Sequence, residues 1–65
     1  MTDESEIFRA ATRLIEQHGE GAALVAAGHA ESALQGGDPL AARQWQRIAQ
    51  TVERIQAAAQ DDGEA

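Results

Sequence analysis

DPLAARQWQRIAQTVERIQAAAQ, residues 38–60, is the stretch that decides how this chain folds. Its apolar residues fall at Ala41, Trp45, Ile48, Val52, Ile55 and Ala59, in alternating steps of four and three. With about 3.6 residues per turn, that spacing brings all six to one side of a helix. Asp38 and Pro39 stand where a helix wants an oxygen acceptor and then a residue with no N–H to lose. The reading predicts a helix over 39–60, about 22 residues and roughly 33 Å long.

Working outward from this seam, Gly36 and Gly37 supply a helix stop and a turn immediately before the Asp-Pro start. The preceding segment predicts a helix over about 21–35. Ala23, Ala26, Ala27, Ala30 and Leu34 form one flat face of it, while Ala22, Val25, His29 and Ala33 occupy another side. Apolar character on two sides predicts a helix sandwiched between neighbours, with small residues permitting close approach. Gly28 weakens that helix by about 1 kcal/mol relative to alanine unless close packing requires it.

Upstream again, residues 3–18 predict a first helix. Asp3 with Glu6 has the spacing of a capping box, and the early acids suit the positive end of the helix dipole. Ile7, Ala11, Leu14 and His18 form its apolar stripe, with Phe8 and Ile15 beside it and Gly19 as its stop. Short connections favour antiparallel neighbours, so the expected fold is all-α, a three-helix up-down-up bundle forming a single domain over 1–65. Residues 1–2 and 61–65 are expected to be disordered. The third helix is predicted to outrun the other two, leaving Ile55 and Ala59 short of cover and favouring a homodimer.

Composition narrows the possibilities further. Fifteen of the 65 residues are alanine and only twelve, apart from Met1, are large and apolar, a modest supply for a core. With no cysteine, neither a disulfide nor a thiolate-bound metal staples the fold. The formal charge of −6 is matched in number by six acids at the two ends: Asp3, Glu4, Glu6, Asp61, Asp62 and Glu64. Between them five glutamates and aspartates balance five arginines. That balance argues against an acidic mimic of nucleic acid. The absence of a long apolar run, together with an acidic start, predicts a cytoplasmic protein without a membrane span.

Several segments together resemble a known grouping. Ile7-Phe8-x-Ala10-Ala11-x-x-Leu14-Ile15, Gln17-His18-Gly19, Gly37-Asp38 and Trp45-x-Arg47-Ile48 are similar to short bacterial all-helical proteins catalogued as a domain of unknown function. The resemblance covers roughly residues 7–56. It implies small size, helices and an intracellular setting, and it supplies no activity, cofactor or site residue.

Chemistry is sparsely signalled. His18 and His29 are eleven apart, whereas a shared helical metal site uses spacings of about three or four, so no metal is expected. Ser5 and Ser32 lack a nucleophile elbow, and Gly19-x-Gly21 lacks the lysine of a phosphate loop, so neither an enzyme nor a cofactor is expected. The residues instead point to a protein-binding module that pairs with itself through the second and third helices. Val52, Ile55, Ala59, Val25 and His29 are the expected contacts. The alternative is a nucleic-acid-associated protein using the stripe Arg43, Arg47, Gln50 and Arg54 behind the seam, although a neutral folded part offers little for phosphates.

Overall fold

The structure, a computed structural model, describes residues 3–62, with side chains through Ala59. It is all-α, with no strand among the described residues. α1 spans Glu4–His18 and passes through a 3₁₀ turn, Gly19–Gly21, directly into α2, Ala22–Gln35. α3 spans Pro39–Asp62. Where the sequence suggested three separate rods, the chain has two helical stretches, 4–35 and 39–62, and the first is broken in direction by its 3₁₀ turn.

Both ends of α1 have local causes. The Asp3 carboxylate accepts a hydrogen bond from the Glu6 N–H at 3.1 Å, which starts α1 as the capping pattern predicts. Gly19 takes φ 59° and ψ −128°, a conformation that a Cβ disfavours, and donates its N–H to the Ile15 carbonyl. The turn is then tied to α3: the Gln56 amide donates to the Gly19 carbonyl at 2.9 Å.

The α2–α3 connection is a Schellman turn. Asp38 N–H donates to the Ala33 carbonyl at 2.8 Å and Gly37 N–H to the Leu34 carbonyl at 3.1 Å, with Gly37 at φ 81°. The same Asp38 then caps α3 through its carboxylate, which accepts from the Ala41 N–H at 3.1 Å. One residue closes α2 and opens α3, and this economy makes the hairpin only a few residues long. α3 continues to Asp62, two residues past the predicted end. The expectations for 1–2 and 63–65 lie outside the described residues.

The core is small and rich in alanine: Ile7, Ala11, Ala22, Ala26, Ile48 and Val52 cluster together, with Ala10, Leu14, Ile15, Ala23, Trp45, Ala49 and Ile55 packed around them. α3 is the element the others share. α2 packs most extensively on it, α1 less so, and α1 and α2 touch each other least. The sequence cast α2 as the sandwiched layer, and that expectation fails. α2 buries a single line, Ala22, Ala26 and Ala30, and leaves Leu24 77% exposed. The two predicted faces of α2 were the shoulders of that one line. With extents of 45 × 22 × 16 Å, the chain is a slender rod.

Gly28 belongs to the exposed side of α2, and a Cβ placed there meets nothing within 4 Å. Close packing therefore does not account for it. Gly28→Ala is expected to raise stability by about 0.5–1 kcal/mol, because it removes backbone freedom from the unfolded chain without a clash. A thermal melt checks this; an unchanged or lower midpoint shows that the glycine serves something outside the folded monomer.

Candidate functional site

The residues named from sequence separate once the helices pack. Val52 is completely enclosed by its own chain (0% exposed) and is core, so it is not available to a partner. Ile55 is half-buried against the same cluster, covered where Gln56 reaches the Gly19 turn. The expected overhang of α3 is therefore shorter than its length suggested. It begins after Gln56 and, through Ala59, presents only alanines, all exposed. Ala59 is accessible but carries one methyl group. Val25 is half-buried and His29 is exposed.

His29 has a specific partner. Its ring stacks on Trp45 with centroids 4.3 Å apart and planes 22° from parallel. Offset stacking of this kind contributes about 0.5–1.5 kcal/mol beyond the area it covers. The pair was legible in principle: residues 29 and 45 lie equally far from Gly37, the pivot of an antiparallel hairpin. His18, assigned from sequence to the apolar stripe, is exposed at the end of α1. Among the residues described, no three histidines, cysteines or carboxylates gather into a metal-binding group.

The large apolar residues left in solvent are Phe8 (56% exposed), Leu24, Leu34 (55%) and Leu40 (67%). Leu34 belongs to a groove of about 350 Å³ between α2 and α3, lined also by Ala27, Ala30, Glu31, Gln46, Ala49 and Gln50. By helical periodicity Ala27 and Leu34 lie on the flank of α2 roughly opposite Val25 and His29. Val25 and His29, the α2 residues among the expected partner contacts, and the open groove thus occupy different sides of the same helix.

Phe8 has a different setting. On one side it borders a groove of about 280 Å³ between α1 and α3, lined by Glu4, Ile7, Arg47, Gln50, Thr51 and Arg54. On the other it borders a shallow depression along α1, lined by Glu4, Ser5, Arg9, Thr12, Arg13 and Glu16. Arg43, Arg47, Gln50 and Arg54 are all exposed, as the stripe reading required, but the stripe is divided by its neighbours. Arg47 and Arg54 join α1 around Phe8, while Arg43 lies by Pro39 and Leu40. Sequence reasoning placed Phe8 beside the core stripe and did not find this setting, since it depends on where α1 crosses α3.

No helix among the described residues is long and apolar enough to cross a membrane. No family model matches this chain, and no curated protein or solved structure does either.

Proposed function

We propose that this protein is a non-enzymatic helical binding module, cytoplasmic, whose up-down-up helices associate with a second copy through α2 and α3. The observation that carries this reading is Leu34, 55% exposed at the rim of a groove walled by Ala27, Ala30 and Ala49. A side chain of that size left in water, beside methyl-sized residues that let another helix approach to about 8–10 Å, has the form of one half of a helix–helix contact. Two copies related by a twofold axis place the same groove against itself. The small core adds motive, because a second subunit supplies apolar cover that one short chain lacks.

Sedimentation across micromolar concentrations tests it. The wild type is expected to show concentration-dependent dimerisation, and Leu34→Asp to remain monomeric while keeping its helical circular dichroism. A wild type that stays strictly monomeric removes the self-association reading. The second reading, nucleic-acid association through Arg43, Arg47, Gln50 and Arg54, draws on the exposure of all four. It predicts salt-dependent retention on immobilised nucleic acid that disappears when the three arginines are changed to alanine.

A further inference from the structure

The Phe8 face departs from the charge balance of the rest of the molecule. Arg9, Arg13, Arg47 and Arg54, four of the five arginines in the chain, line the two depressions that meet at Phe8. Only two acids, Glu4 and Glu16, line them as well. The remainder of the chain has one arginine, Arg43, against nine carboxylate side chains. Folding thus collects positive charge around one exposed aromatic ring on an otherwise acidic protein. Along the sequence this is invisible, since Arg9 and Arg13 come from α1 and Arg47 and Arg54 from α3.

We propose that the Phe8 face docks an acidic peptide segment of another protein, one that carries an apolar side chain among its carboxylates. Charge complementarity is the argument for the acidic part. Guanidinium groups accept carboxylates in paired hydrogen bonds, and four of them at the edges of one patch set where those carboxylates must fall. The apolar part follows from the ring: Phe8 is 56% exposed at the edge of a groove whose floor includes the buried Ile7, so a leucine or aromatic anchor seated there removes Phe8 from water. A strand of nucleic acid shares the negative charge but fits less well. Its phosphates continue at regular spacing past the patch, over a surface where carboxylates predominate, whereas a peptide places its charges only where the arginines are. The inference rests on the protein-binding reading but not on self-association, because Leu34 lies in a different groove.

The test is selection of a random dodecapeptide display library on the intact wild-type chain, followed by fluorescence anisotropy with the selected peptides resynthesised. Expected are sequences rich in Asp and Glu with at least one Phe, Leu or Trp. Their affinity should fall about tenfold or more in Arg47→Gln/Arg54→Gln, in Arg9→Gln/Arg13→Gln and in Phe8→Ala. Arg43→Gln, outside the patch, should leave it unchanged. Circular dichroism establishes that each variant is folded, and the two arginine pairs hold the test if Phe8→Ala is not. No enrichment, enrichment of peptides without acids, or affinities indifferent to the arginine pairs each overturn the proposal. Oligothymidylate binding that depends on the same arginines, in place of peptide binding, assigns the face to nucleic acid and overturns it as well. Tightest binding by a peptide of residues 55–65 assigns it to a second copy of this chain, with the same consequence. Peptide binding by a strictly monomeric protein supports this inference while the self-association reading fails, so the two are separable.

Discussion

Val52→Asp leaves the chain predominantly unfolded at neutral pH. Aspartate is no bulkier than valine, so the effect is electrostatic rather than one of overpacking. Val52 is fully enclosed within the cluster formed by Ile7, Ala11, Ala22, Ala26 and Ile48, none of which carries a polar side chain. An unpaired carboxylate in such a place costs about 3–5 kcal/mol or more. A chain of this size has roughly 3–10 kcal/mol in total, with small single cores towards the low end. Val52→Ala, which removes two methyl groups without adding charge, should cost about 2–3 kcal/mol and leave a folded protein. The aspartate variant also has a pH signature. Burial raises the folded-state pKa of the introduced carboxyl above its unfolded value. The charge penalty is therefore absent below the unfolded pKa, near 3.9, and grows as pH rises from there. Relative to Val52→Asn, which does not titrate, the variant should regain helicity on acidification. Far-ultraviolet circular dichroism measures both. A folded Val52→Asp at neutral pH means that the α3 seam is not the centre of the core.

Val52 also marks what the sequence made legible. It stands in the middle of the seam read from residues 38–60, and its two predicted turns of support, Ile48 and Ile55, pack where the periodicity put them. Helix starts were equally legible, because Asp3 and Asp38 act over three residues of chain and need nothing from the tertiary structure. Gly37 is another such case, its φ of 81° being a local requirement of the turn.

Spatial relations between helices were less accessible. Alanine gives little contrast between a buried face and an exposed one, so α2, with Ala22, Ala23, Ala26, Ala27, Ala30 and Ala33, looked apolar on two sides while burying one line. The supposed overhang at Ile55 was a matter of helix lengths alone, which do not contain the crossing of α1 over α3; Ile55 packs against the core cluster, next to the Gln56 contact with the Gly19 turn. The same crossing brings Arg9 and Arg13 to the neighbourhood of Arg47 and Arg54. Periodicity fixes which side of a helix is apolar; it does not fix the angle at which the next helix meets it, and the candidate site depends on that angle.

Trp45→Ala is expected to destabilise the chain by about 3 kcal/mol, at the lower end of the range for removing a large aromatic from a core. Its place on the seam alone suggests a fully buried ring and a cost further up that range. The structure moderates this: Trp45 is half-buried, packed against the core cluster on one side and covered by the His29 ring on the other. Part of the indole already meets water in the folded state, so less apolar area is lost. The histidine contribution can be isolated. His29→Ala removes the stacked ring but leaves the core contacts of Trp45, and should cost about 0.5–1.5 kcal/mol. If the two side chains act on each other as the stacking geometry indicates, the double variant should cost less than the sum of the singles, since His29 has nothing to cover once Trp45 is gone. Chemical denaturation followed by circular dichroism reads all three without relying on tryptophan emission. Strict additivity removes the stack as an energetic unit, and a Trp45→Ala cost near zero shows that the ring lies on the surface, free for a partner.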